Sequence, residues 1–305
     1  MKTTSSDSKT TSAEPTSPVR VDDLLAGGLT RSFEFFPPKS DEEIVVLEHT
    51  LEEIESLDPS FVSVTYRGGA ASRQRTYDLV TEIQRTDRVT AMAHLICVGH
   101  RRDEMREVLT NYADAGVENV MALGGDLPDA PDDAESDFTY ALELVELVRE
   151  VGTFCVGVGA HPQGHPRSSD IATDRRHLAR KLEAADFAVT QFFFEAEEWV
   201  RLRDELAELG VEKPILPGIM PVTSLHGIGR MASMGAAAPT RLVARLKAAN
   251  QRGGAPAVRR EGIKAATELC DELLEVGVPG LHFYTLNRST ASREIHRSVF
   301  PAGGS

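Results

Sequence analysis

Apolar and polar positions along the chain switch between two periods. Short runs with alternating or continuous apolar character occur at RSFEFF (31–36), FVSVTY (61–66), VTAMAHLIC (89–97), VENVMALGG (117–125), TFCVGVGA (153–160), FAVTQFF (187–193), KPILPGIM (213–220) and GLHFYTL (280–286). Between them apolar residues return at helical spacing, as in Ile44, Leu47, Leu51, Ile54, in Met105, Val108, Leu109, Tyr112, and in Trp199, Leu202, Leu206, Leu209. The pattern predicts eight strands separated by amphipathic helices. End signals agree: Ser40 and Glu43 form a capping-box pattern after Pro37 and Pro38, and Gly116 and Gly210 stand where a left-handed C-cap residue is expected. Strand starts recur about every 30 residues until the last interval, 213 to 280, which has room for two or more helices and a Gly/Pro-bearing loop at 251–257. Eight βα units with short connections predict a single-domain α/β chain folded as a (β/α)8 TIM barrel over residues 19–300. An open doubly wound sheet is the alternative, but no GxGxxG follows the first strand.

Composition narrows the setting. The first 18 residues hold ten Ser or Thr and almost nothing apolar, which predicts a disordered tail without the hydrophobic centre of a signal peptide; residues 301–305 predict a shorter flexible tail. With 41% hydrophobic and 26% charged residues, and no uncharged apolar run near the ~20 residues a span needs, no membrane segment is expected. Lys and Arg number 33 against 47 Asp and Glu, and the net charge of -14 repels a polyphosphate backbone, so nucleic acid is not an expected partner. Cys97, Cys155 and Cys270 are odd in number and widely spaced, which suggests neither a disulfide framework nor a cysteine zinc site and fits a reduced cytoplasm. The oligomeric state is not readable.

In a barrel of this kind the active site lies at the C-terminal strand ends. The polar residues there are Glu34, Thr65, Tyr66, His94, Asp126, His161, His165, Gln191, Tyr284, Asn287 and Arg288. Glu34 stands out because Phe33 and Phe35 share one strand face while Ser32, Glu34 and Phe36 share the other, which points a carboxyl inward. Desolvation favours the protonated form of such a carboxyl and equips it as a general acid near neutral pH, whereas a structural reading pairs it with Lys39 or a neighbouring strand. Asp126, after Gly124 and Gly125, reads equally as a rim carboxylate and as part of an ordinary loop. His94, His161, His165 and His282 with Asp126 raise the alternative of a metal-dependent barrel hydrolase, although no H-x-H follows strand one and His282 alternates with Phe283 inside an apolar strand. No metal is expected. Arg167, Arg175, Arg176, His177, Arg180 and Lys181 form either a solvated helix face or an anion site assisted by a helix N-terminus near Ser168 to Asp170.

Taken together, SFEFFPPK (32–39), FVSVTY (61–66), AHL (93–95), ALGGDLP (122–128), HPQGHP (161–166), TQFFF (190–194), LPGIMPV (216–222) and HFYTLNR (282–288) resemble the methylenetetrahydrofolate reductase family, in order and spacing, over about residues 20–300. The resemblance is to the short bacterial type, the catalytic barrel without the long C-terminal regulatory domain of eukaryotic members. It implies a TIM barrel that reduces 5,10-methylenetetrahydrofolate to 5-methyltetrahydrofolate with NADH or NADPH, in one-carbon metabolism and methionine synthesis. It implies further that Glu34 is the general acid that protonates N10 and generates a 5-iminium ion. Asp126 is implied as the carboxylate that stabilises that cation, and Gln191 as an amide that contacts folate and nicotinamide in turn. Thr65, Leu225, Tyr284 and Arg288 match pocket or folate positions, Arg288 toward the glutamate tail. His94, His165, Asp174 and Lys181 match positions lining an FAD site, as do Gly124, Gly125 and His161.

Three flavin-associated positions depart from the family pattern: Gly124 stands for an arginine, His161 for a tyrosine and Gln163 for a glutamate, while Leu225 stands for a folate-stacking phenylalanine. A charge-assisted bond between arginine and phosphate is worth on the order of 1.5–3 kcal/mol, so its loss weakens retention about tenfold to a hundredfold. FAD is therefore expected to be weakly bound or absent, with NADH seated near Arg175 to Lys181 and hydride passing directly to folate. A folate-binding protein without turnover is a further alternative.

Overall fold

The computed structural model of the protein describes residues 19–66, 70–86, 88–125 and 136–301. Asp126, the tail at 1–18 and residues 302–305 of the second tail lie outside the described residues. The parallel strands are β1 (Thr30–Phe35), β2 (Phe61–Val64), β3 (Thr90–Ile96), β4 (Asn119–Leu123), β5 (Cys155–Ala160), β6 (Phe187–Thr190), β7 (Ile215–Leu216), β8 (Gly218–Ile219) and β9 (Gly280–Tyr284). Their order is β7-β6-β5-β4-β3-β2-β1-β9-β8. The expected strand at 213–220 is thus two short pieces, because Pro217 has no N–H to give a ladder. Its two sides close the ring: Ile215 and Leu216 pair with Ala188 and Val189 of β6, and Gly218 and Ile219 pair with His282 and Phe283 of β9. The result is the (β/α)8 barrel.

Ten helices are described: α1 (Val21–Gly27), α2 (Asp41–Glu55), α3 (Ala70–Thr86), α4 (Arg102–Asp114), α5 (Ala141–Val151), α6 (Ile171–Ala184), α7 (Ala196–Glu208), α8 (Leu225–Ser233), α9 (Thr240–Glu275) and α10 (Ser289–Val299). Ser40 accepts from the Glu43 N–H, the first half of the expected capping box, while Glu43 reaches one residue further back and accepts from the Lys39 N–H instead of that of Ser40. Gly116 and Gly210 have φ 75° and 81°, the left-handed conformation of a C-cap. The expected loop at 251–257 is instead a kink within α9, where Gly253 and Gly254 leave helical geometry and Pro256 resumes it.

Strand alternation divides the interior in two. Outward residues such as Phe33, Phe35, Val62, Val64, Ala93, Leu95, Val120 and Phe283 are buried under the helices in the main core. Inward residues near the strand starts, Phe61, Met92, Met121, Cys155, Phe187, Val189 and Leu216, form a second core. Helix α1, which the period reading did not anticipate, plugs this lower end with Val21 and Leu25. Asn119 fixes it there, accepting from the Val21 N–H at 2.8 Å and donating to the Val19 carbonyl at 3.1 Å. With mostly apolar side chains filling the bottom, the ionisable inward side chains Glu34, His94 and His282 stand above them.

Candidate active site

Four neighbouring strands, β9, β1, β2 and β3, place Glu34 among polar side chains. Glu34 Oε2 lies 3.5 Å from His94 Nε2 and 3.7 Å from His282 Nε2, and the three side chains are 12%, 6% and 1% exposed. The register explains the meeting: Glu34 lies opposite Ser63 and Tyr284, while Ser32 lies opposite His282. His282 Nδ1 is 2.8 Å from Ser32 Oγ. Burial lowers the His94 pKa, opposed by the attraction of Glu34 and reinforced by His282, so the ring is neutral at neutral pH. Burial also raises the Tyr284 phenol well above its ordinary value, and Glu34 adds to this. His94 Nε2, His282 Nε2, Ser63 Oγ and Thr65 Oγ1 are buried without a hydrogen-bond partner. A ring of unspent polar atoms around a carboxyl is what a polar ligand would satisfy.

The corner after β9 sets the height of Glu34. Thr285 Oγ1 donates to the Glu34 carbonyl at 2.6 Å. Asn287 clamps the next peptide both ways, accepting from the Phe36 N–H and donating to the Phe36 carbonyl, each at 2.8 Å. Leu286 and Asn287 hold φ of 51° and 57°, a conformation Asn tolerates better than most residues. Arg288 is exposed at the start of α10.

Across the barrel, Tyr284 donates to the Thr190 carbonyl at 2.7 Å. Gly218 permits this, since a Cβ there would press into the Thr190 carbonyl and come within 2.5 Å of the Tyr284 ring. Gln191 accepts from the Phe192 N–H and donates to the Met234 carbonyl, which links the end of β6 to α8. Leu225 packs in an apolar cluster with Phe192, Met220, Met231 and Tyr284. Glu34, His94, Thr65, Tyr284, Gln191 and Leu225 therefore line one end of the barrel.

Asp174, Lys181, His161 and His165, matched to a flavin site, are engaged with neighbouring protein groups. Asp174 spends its oxygens on Arg175 at 2.8 Å and Ser168 at 3.2 Å. Lys181 Nζ donates to the Gly159 carbonyl at 2.8 Å, and burial lowers its pKa to about 8 against the pull of Asp174. His161 and His165 pack edge to face at 4.6 Å, and burial, with His165 and Lys181 nearby, lowers the His161 pKa to about 4. Gly124 offers no side chain, and the Arg167 guanidinium lies 3.4 Å from where its Cβ would stand. Arg175, expected near an anion, is withdrawn: its buried guanidinium bonds Glu205, Asp174 and the carbonyls of His161 and Pro162. The N-terminus of α6 is likewise occupied, because the Asp170 carboxylate accepts from the Thr173 N–H at 2.7 Å.

Among the described residues the one three-ligand cluster is Asp22, Cys155 and Asp186, at the opposite end of the barrel. Both of its carboxylates are paired, with Arg20 and Arg149, each at 2.9 Å.

A sequence-family model described as methylenetetrahydrofolate reductase matches residues 20–299. A 5,10-methylenetetrahydrofolate reductase of Salmonella typhimurium is 35% identical over 273 residues, 89% of this chain and 90% of that protein. The methylenetetrahydrofolate reductase (NADH) 1 of Arabidopsis thaliana is 32% identical over 84% of this chain and 46% of that protein. Among solved structures, a Clostridium thermocellum protein described as binding two copies of 5-methyl-5,6,7,8-tetrahydrofolic acid superposes with a TM-score of 0.63 at 13% identity, over 92% of this chain and 96% of that one, a likeness of fold.

Proposed function

Because the chain belongs to the methylenetetrahydrofolate reductase family, we propose that it reduces the methylene bridge of 5,10-methylenetetrahydrofolate to the 5-methyl group with NADH or NADPH as hydride donor. The observation that carries this reading is the inward Glu34, desolvated at the catalytic end of the barrel and flanked by two imidazoles. Protonated Glu34 gives its proton to N10, the bond from N10 to the methylene carbon breaks, and N5 carries the resulting iminium cation. Hydride from the nicotinamide then adds to that carbon, so one proton and one hydride are consumed and the oxidised nicotinamide leaves. Asp126 is proposed to stabilise the cation by opposite charge.

Gln191 and Tyr284 serve the polar edge and flank of the pterin, Leu225 and Phe192 supply apolar contact, Thr65 lines the pocket, and exposed Arg288 is placed for the glutamate carboxylates. His94 stands beside Glu34 and belongs to the acid's surroundings in this reading. We infer also that flavin is weakly bound or absent, supported by the missing side chain at Gly124, by the pairing of Asp174 with Arg175 and by the bond of Lys181 to the Gly159 carbonyl. NADH and folate must then occupy the cleft together, and the gain comes from holding the two reacting carbons in near-attack geometry. Formation of 5-methyltetrahydrofolate from the methylene compound, followed with NADH and with NADPH in separate reactions, tests the activity; absence of product with both donors overturns it.

A further inference from the structure

Two glutamines on neighbouring loops hold the same turn, and backbone chemistry fixes which way each amide faces. Gln163, in the loop between β5 and α6, accepts from the Ala237 N–H at 3.1 Å and donates to the Ala237 carbonyl at 3.3 Å. A peptide N–H can only donate and a carbonyl can only accept, so one orientation of the carboxamide makes both bonds. Gln191, at the end of β6, is fixed in the same way, accepting from the Phe192 N–H at 3.0 Å and donating to the Met234 carbonyl at 3.2 Å. One N–H and one oxygen lone pair of Gln191 are left for a ligand.

Met234 and Ala237 belong to the short turn that ends α8. The Met234 N–H bonds the Arg230 and Met231 carbonyls, and the Ala236 N–H bonds the Met231 carbonyl. Gly235 makes the reversal at φ 91° and lies against Pro166, which a Cβ there would meet at 3.3 Å. Met231 and Ala236 anchor the turn in the apolar cluster around Phe192. Apolar burial holds the turn down without giving it a direction, and the hydrogen bonds from Gln163 and Gln191 supply one. Without the Gln163 pair, Ala237 is released three residues from the carbonyl that orients Gln191. We propose that Gln163 is a positioning residue that acts through the Met234–Ala237 turn to aim the Gln191 carboxamide at folate. The inference rests on the reductase reading, in which Gln191 serves the polar edge of the pterin. An ionised glutamate, the residue of the family pattern at this position, would have no hydrogen for the Ala237 carbonyl.

The test is a double-mutant cycle on the affinity for 5-methyltetrahydrofolate, measured by isothermal titration, with Gln163→Met and Gln191→Leu made singly and together. Gln163→Met should weaken binding roughly three- to tenfold, the worth of about one hydrogen bond. In the Gln191→Leu background the same change should cost less than about twofold, because the amide it acts through is gone. Equal losses in the two backgrounds, or no loss in the first, overturn the proposal, since a merely structural role would not depend on the residue at 191. If Gln163→Met fails to fold, Gln163→Ala decides by the same comparison. A wild type that neither binds nor turns over folate defeats the reductase reading. The side-chain amide NMR signal of Gln191, identified as the pair lost in Gln191→Leu, then decides the positioning by itself: a shift in Gln163→Met supports it and an unmoved signal overturns it.

Discussion

Replacing Asn287 by Ala removes both hydrogen bonds that hold the Phe36 peptide, each 2.8 Å long. At roughly 0.5–1.5 kcal/mol net per bond, the two contribute about 1–3 kcal/mol, and alanine adds strain at φ 57°. Phe36 is two residues beyond the acid, and the Glu34 carbonyl keeps its bonds from the Thr285 hydroxyl and N–H. A carboxyl that drifts by about 1 Å loses on the order of a hundredfold in rate, so kcat should fall by roughly 10–100-fold although Asn287 touches no reacting atom. Urea unfolding gives the first quantity and steady-state reduction of methylenetetrahydrofolate the second. Asn287→Asp keeps the acceptor and loses the donor, and should fall between the wild type and Asn287→Ala in both. If Asn287→Ala is less stable by the expected amount yet turns over at the wild-type rate, the clamp holds the fold and not the acid, and the reasoning fails.

Glu34→Gln keeps the shape and removes the acid, so reduction should fall about 10²–10⁴-fold with much less change in folate binding; near-normal turnover would remove Glu34 from the general-acid role. Gly218→Ala drives a methyl into the Thr190 carbonyl and the Tyr284 ring and should destabilise by more than ~1 kcal/mol in urea, with Gly227→Ala as a helix control of small effect. His296 is buried among Phe33, Phe283 and Phe300 with neither nitrogen bonded, and burial, with Arg31 and Arg297 nearby, lowers its pKa to about 4. Between pH 6.5 and 4 the unfolded chain binds a proton there that the folded chain does not, so stability falls as the pH is lowered across that window, by roughly 3 kcal/mol in all, and levels off below it. His296→Phe should remove that part of the acid slope, and an unchanged slope would show the penalty is not carried by this ring.

Much of the architecture was legible because period and burial coincide. The alternation of Phe33 and Phe35 with Ser32 and Glu34 is reproduced by their packing, and it identified the inward carboxyl without any tertiary information. Helix α1 escaped because it has only seven residues, although Val21, Leu24 and Leu25 carry helical spacing with Asp22 and Asp23 in the first turn. Pro217 was visible, yet that the ladder changes partner there depends on barrel closure. His282 read as a core histidine because it alternates with Phe283; only the register that sets it beside Ser32, with Glu34 facing its ring, reveals the polar neighbours. The basic run at 167–181 stayed divided for a related reason: charge along a helix says nothing about which cation is spent, and Arg175 is buried against Asp174 and Glu205 while Arg176, His177 and Arg180 stand exposed.

The central claim, a barrel that moves hydride to folate from a nicotinamide held in the same cleft, is tested most directly by initial-rate kinetics of the purified, spectrally characterised protein with both substrates varied. The account predicts one 5-methyltetrahydrofolate formed per NADH or NADPH oxidised, by a protein without stoichiometric flavin absorbance, and double-reciprocal lines that intersect. Parallel lines from a protein carrying one flavin per chain would contradict direct transfer, and no methylated product under any condition would contradict the function itself.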